Sequence, residues 1–252
     1  MTSHHPTALY SVPARTEHAF DAVDAHRLAR TIDLARYFRR QSPQDILVSS
    51  YDAGSADVRA LDAHCSFAHV GLLLFPTSVA DGIEQLSSAG LVPEPVIPSV
   101  VVRRRLAERH GIDPRQADIG VTHLRGVDGV PAVELFLFAR DSPALTREVI
   151  STERRHGFEE HVALLIERPS LGVLEELFDV LVRGHSLVWE GGGYNAHEGP
   201  DGSTIFYFVA AGGLLAPRRF ELHALGDFRQ VLGRHPIDGD VVAATYAQWS
   251  RD

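Results

Sequence analysis

The chain has no lysine: all 24 of its basic residues are arginine. That excludes a Schiff-base or pyridoxal-phosphate lysine and the lysine of a phosphate-binding P-loop. Cysteine is nearly as scarce. With Cys65 alone, neither a disulfide framework nor a multi-cysteine zinc or iron–sulfur site can form within the chain. No apolar run approaches the ~18–20 residues that cross a bilayer, so no membrane partner is expected. The opening MTSHHPTALYSVPAR lacks a basic segment followed by a long apolar one; it is not a secretory signal, and a cytoplasmic location is the default. Excess basic charge is missing too. A net charge of −9 argues against nucleic-acid binding, which needs a basic face, and the run Arg103-Arg104-Arg105 is read as a solvated helix face.

What is present is an ordinary globular composition, 44% hydrophobic and 23% charged over 252 residues, enough for one large domain or two small ones. Two stretches echo one another. FAHVGLLLF (67–75) and FEEHVALLIE (158–167) each carry a histidine, a valine and an apolar run in the same order. Nine residues after each histidine stands a serine suited to cap a helix, Ser78 after His69 and Ser170 after His161. Shared order and near-equal offsets indicate a duplicated unit.

Residues 1–15 are polar and expected to lack fixed structure, with His4 and His5 idle. One or two helices are expected between Thr16 and Arg40, then a helical or irregular stretch to Ala63. In the first unit, a strand over Phe67–Phe75 leads to a helix from Ser78 to Gly90. Val100–His110 suits either strand or helix. Ala117–Leu124 is a strand, Gly126-Val-Asp-Gly129 a tight turn and Pro131–Ala139 a strong closing strand. Arg140–His156 is a polar linker with a short helix. The second unit repeats the order: a strand over Phe158–Glu167, a helix from Ser170 to Gly184, a strand His185–Trp189, a break or bulge at Gly191-Gly-Gly193, a short strand Tyr194–Glu198, the turn Gly199-Pro-Asp-Gly202 and a closing strand Ser203–Ala210. The three glycines do not follow a strand and open a helix, so they form no dinucleotide loop. Beyond Leu215 a tail is expected, with helices over Phe220–Leu232 and Val241–Trp249, packing on the sheet edge or covering an opening and carrying no chemistry. The divisions are thus 1–61, 62–140, 141–156, 157–215 and 216–252.

Alternation puts His69 on one face with Phe67, Gly71, Leu73 and Phe75, and Glu134 with Phe136 and Phe138. A carboxylate inside VELFLF carries a large desolvation cost unless paired or bound to a cation. Taken together, HVGLLLF, VELF, HVALLIE and GPDGSTIFYF resemble the vicinal oxygen chelate superfamily, which contains glyoxalase I, extradiol dioxygenases and 4-hydroxyphenylpyruvate dioxygenase. The resemblance spans about residues 62–212. It implies an α+β fold of two tandem βαβββ modules forming a cup-shaped mixed sheet, flanked by N-terminal helices and a C-terminal helical tail. It implies His69, Glu134 and His161 as ligands of a divalent metal.

At the fourth symmetric place stands Phe206 or Tyr207, depending on the alignment, and neither is a carboxylate. Two histidines and one carboxylate describe the facial triad of non-heme Fe(II) oxygenases. The expectation is therefore an Fe(II) dioxygenase, with Mn, Zn, Ni or Co as alternative metals. Its partners would be O₂ and a small chelating substrate held by Phe75, Phe136, Phe138 and Phe206 or Phe208; a homodimer is compatible with this. Tyr207, His123 and His197 are the candidates for proton transfer or metal support. The runners-up are a redox-neutral isomerase, epimerase or lyase, and a metal-free binding protein of the same fold.

Overall fold

The computed structural model describes residues 18–51, 59–125, 131–183, 187–210 and 217–249. The expectations for residues 1–15, for the Gly126–Gly129 turn and for Gly184 and His185 lie outside them. The elements are α1 (Ala22–Phe38), α2 (Pro43–Tyr51), α3 (Arg59–His64), β1 (Cys65–Leu74), α4 (Val79–Ser88), β2 (Ile97–Pro98), α5 (Val100–His110), β3 (Ile119–Arg125), β4 (Pro131–Phe138), α6 (Arg147–His156), β5 (His161–Ile166), α7 (Leu171–Phe178), β6 (Leu187–Asn195), β7 (Ser203–Ala210), β8 (Arg219–Leu225), α8 (Arg229–Leu232) and α9 (Gly239–Trp249). A short π-helical turn, Asp179–Arg183, continues α7.

The two serines do what their spacing predicts. Ser78 Oγ accepts from Asp81 N at 3.1 Å and Ser170 Oγ from Val173 N at 3.3 Å, each satisfying an otherwise orphaned amide at the start of its helix. Both helices bury one side in the same core, α4 through Leu86 and α7 through Leu174 and Leu177. Among the described residues the strands form one curled, eight-stranded mixed sheet in the order β2-β3-β4-β1-β5-β8-β7-β6. Read from its centre outward, both halves run first strand, last strand, third, second. β1 is parallel to β4, β5 is parallel to β8, and the halves join through the antiparallel β1–β5 pair.

Every described helix except α5, α6 and α9 contributes to a core on the convex face, where Val70, Leu72, Leu135, Val162, Leu164 and Leu222 point. Burying a side chain of this kind stabilises by about 1.5–3 kcal/mol. α5 lies on the concave face instead. Its Val102 and Leu106 pack on Phe75, Phe136 and Phe138, and its Val101 packs on Ile205 and Tyr207. Among the described residues no helix is long and apolar enough to cross a membrane.

Four sequence expectations need correction. The open choice at Val100–His110 resolves as helix, and the module's second strand is the two-residue β2 within the proline-rich segment before it. β6 passes through the glycines as one strand with a bulge between Trp189 and Gly191, so Trp189 and Tyr194 belong to the same element. Phe67 does not share a face with His69: a register shift between them turns Phe67 onto the convex side against Phe38. The largest correction is at the expected tail. Arg219–Leu225 is no helix but strand β8, which enters the middle of the sheet between β5 and β7 and closes the second module. The strand expected to close it, β7, is the equivalent of β3. The G-P-D-G turn therefore precedes the third strand of its module, whereas G-V-D-G precedes the fourth.

Candidate metal centre

His69 and His161 reach the concave face from the two central strands. In the β1–β5 ladder His69 lies opposite Ala163, and His161 opposite Gly71. In the parallel ladders Gly71 lies opposite Glu134, and Ala163 opposite Glu221. The halves thus correspond residue by residue: His69 with His161, Gly71 with Ala163, Glu134 with Glu221. The fourth symmetric place belongs to Glu221, on the strand that sequence reasoning read as tail. The aromatic pair lies one strand further out, with Tyr207 opposite Glu221 in the β7–β8 ladder.

The four side chains converge. His69 Nε2 and His161 Nε2 are 3.2 Å apart. Glu134 Oε2 lies 3.6 Å from His69 Nε2 and 3.3 Å from His161 Nε2, while the Glu221 oxygens lie 3.7 and 3.2 Å from the same two nitrogens. Donors held at about 2.0–2.2 Å from one divalent ion stand roughly 3–3.6 Å from one another, so these separations suit a shared cation.

Three further observations suit it. Glu134 Oε2 and both oxygens of Glu221 are buried and accept no hydrogen bond, a costly condition for a carboxylate unless a cation meets it. His161 Nδ1 stands 3.0 Å from the Glu159 carbonyl, which can only accept; Nδ1 therefore carries the proton and Nε2 turns its lone pair to the centre. Burial, more than the neighbouring imidazoles, pulls His69 well below the usual histidine range, the direction that favours the neutral form of a ligand. His161 moves up despite its burial, because Glu221 and Glu134 outweigh the desolvation. Burial likewise opposes ionisation of Glu134, but His69, His123 and His161 hold it well below the carboxylate range; Glu221 is raised, by burial first.

Behind the centre lies a buried web of charge. The Glu159 carboxylate is held by Arg105, by Arg109 at 2.9 Å and by Arg219 at 3.5 Å, and Arg219 also grips Glu190 at 2.6 Å. This web fixes the segment whose carbonyl orients His161. It also corrects the expectation of a solvated arginine run: Arg104 is exposed, but the Arg105 side chain is only 11% exposed and lies 4.0 Å from the Tyr207 ring centroid.

The remaining sequence candidates divide. Phe136 touches the site, its ring 5.9 Å from that of His161, whereas Phe75 and Phe138 share its face but lie beneath α5. Phe206 and Phe208 point the other way, into the convex core against Phe178, because β7 puts its odd-numbered residues inward. Tyr207 is fully buried, 6.0 Å from the His161 ring, with its phenol pushed well up by burial and Glu221; it packs. His123 stands opposite Glu134 in the β3–β4 ladder, 3.3 Å from Glu134 Oε1; its pKa is raised to about 9, Glu134 overcoming the desolvation. His197 is exposed and outside the site; its neighbour Glu198, with His223 on β8, takes the place expected of it. A signal for β8 does exist: Phe220-Glu-Leu-His223 mirrors Val133-Glu-Leu-Phe136.

No family model and no curated protein matches the sequence. Among solved structures the chain is similar to a mutant 4-hydroxymandelate synthase from Streptomyces coelicolor (TM-score 0.41, 13% identity, 75% of this chain and 56% of that one). It is also similar to methylmalonyl-CoA epimerase from Mycobacterium tuberculosis (0.34, 16%, 66% and 90%) and to a glyoxalase family protein from Bacillus cereus (0.23, 13%, 62% and 91%). The chain spans little more than half of the synthase's length. Each of these likenesses lies below 20% identity and below a TM-score of 0.5.

Proposed function

We infer that the chain is a metal-dependent, redox-neutral enzyme, an isomerase, epimerase or lyase, that moves a proton on a carbon next to a chelating oxygen. The observation that carries this reading is Glu221. The dioxygenase expectation had as its premise an aromatic residue in the fourth place, leaving three protein donors. A six-coordinate ion held by four protein donors would keep two positions. They suffice for the two oxygens of a substrate and leave none for O₂ beside them.

His69, Glu134, His161 and Glu221 would hold the ion. When bound, it supplies Lewis acidity that polarises a substrate carbonyl or hydroxyl. The chain's own residues do the rest. His69 and His161 stay fixed, the latter by the Glu159 carbonyl. Phe136 and the α5 residues behind it keep water from one side of the centre. A carboxylate oxygen of Glu134 or Glu221 that does not hold the ion would be the nearest base.

The test is elemental analysis of untagged protein, then incubation with small 2-oxo and 2-hydroxy compounds in D₂O, read by NMR with an oxygen electrode in parallel. Deuterium uptake next to the carbonyl with Zn, Ni, Co or Mn, and no oxygen uptake, is expected. Oxygen consumed in step with product, with Fe(II) alone, overturns the redox-neutral reading.

A further inference from the structure

We propose that a second divalent cation binds beside the first, held by His123, Glu134, Glu198 and His223, with Glu134 bridging the two ions. This rests on the reading of the first centre only through Glu134.

Glu134 divides its carboxylate between two groups of donors. Oε2 faces the His69–His161 pair, while Oε1 lies 3.3 Å from His123 Nε2. His123, Glu134 and Glu198 each offer a ligand atom within 4.8 Å of the others, as the four residues of the first centre do. Glu198 stands on the β6–β7 turn, with Oε2 accepting from Ser203 Oγ at 2.5 Å and Oε1 lying 3.5 Å from His223 Nε2. His223 is an independent pointer. It is 7% exposed, and its Nε2 is buried, turned toward Glu198 and without a hydrogen-bond partner. A buried imidazole nitrogen in that condition is a ligand in waiting.

Charge points the same way. Among the described residues the ion-pair partners of Glu134, Glu198 and Glu221 are histidines, so three carboxylates crowd together there without an arginine, whereas the acidic groups of the neighbouring web have three. The outer group is also the more open: His123 and Glu198 side chains are 17% and 16% exposed, giving an entry path. His123 Nδ1 has Glu94 at 4.0 Å, the kind of carboxylate that orients a ligating imidazole. Carboxylate-bridged ions typically stand about 3.5–4 Å apart.

The experiment is equilibrium dialysis of metal-free, full-length protein against Mn(II), with electron paramagnetic resonance of the loaded protein and circular dichroism as a folding control. Two ions per chain and an exchange-coupled spectrum are expected. Glu198→Gln and His223→Gln are each expected to reduce the stoichiometry to one and leave an isolated-ion spectrum. One ion in the parent protein, unchanged by Glu198→Gln and lost in His161→Ala, overturns the second site and spares the first. No retained Mn(II) overturns both.

Discussion

At Gly71 the ring of His161 occupies the space a side chain would need: a Cβ there would stand 1.9 Å from His161 Cε1. Gly71→Ala must therefore displace a ligand. It is expected to weaken metal binding by about 10–100-fold, as changes that misorient a ligating histidine do, measured by titration calorimetry. The equivalent Ala163, opposite His69, already carries a methyl, so Ala163→Gly is expected to cost roughly 1 kcal/mol or less in urea unfolding and little affinity. Glu221→Gln tests the corrected residue. It is expected to lower affinity as much as Glu134→Gln, whereas Tyr207→Phe leaves it unchanged. Cys65 is the control for burial, which pushes its thiol up to about 12. Iodoacetamide at pH 8 is expected to leave the native protein unmodified and to alkylate it once unfolded, read by mass spectrometry.

At the scale of elements, much was legible. β1 and β5 announced themselves as apolar runs closed by proline, the helices that follow them by their capping serines, and His69, Glu134 and His161 lie together on the strands expected to carry them. β8 was missed for a physical reason. Arg219, Glu221 and His223 alternate with Phe220, Leu222 and Ala224 in a clean period of two, but charged residues every second position normally mark a solvated face. Here that face points into the site and the arginine web. A longer, weaker helical period running on to Leu232 obscured the alternation. The second copy of G-x-D-G compounded the error by suggesting that the next strand was the last. The same web predicts acid behaviour for the α5 contact. Burial opposes ionisation of Glu159, but Arg105, Arg219 and Arg109 bring its pKa down to about 2. A folded-state pKa below the unfolded one gives stability that is whole above about 4.5 and is lost as pH falls toward about 2. Thermal unfolding followed from pH 6 to pH 2 is expected to show that loss, and Glu159→Gln to flatten it.

For the whole molecule, the site belongs to neither module. Each supplies one histidine and one glutamate, and the centre exists only where β1 and β5 meet. Metal binding would therefore be linked to the fold: at a free-ion concentration of about 100 Kd the native state would gain roughly 2.7 kcal/mol. Calorimetric scans are expected to show a higher Tm with metal and a lower one after chelation, an effect absent in Glu221→Gln.

The order of synthesis adds a consequence. β4 covers one edge of β1 as soon as residue 138 has emerged, but the other edge waits for β5, which begins at residue 161. Until then an apolar strand stands open in the middle of the future sheet, and exposed edges recruit partners. Because the missing neighbour is antiparallel and related to β1 by the molecule's own symmetry, a nascent chain halted before β5 can satisfy that edge with the β1 of another. A fragment ending at residue 156 is expected to run as a symmetric dimer in light scattering, two first modules on a ribosome's worth of unfinished message forming the cup that the full chain makes alone.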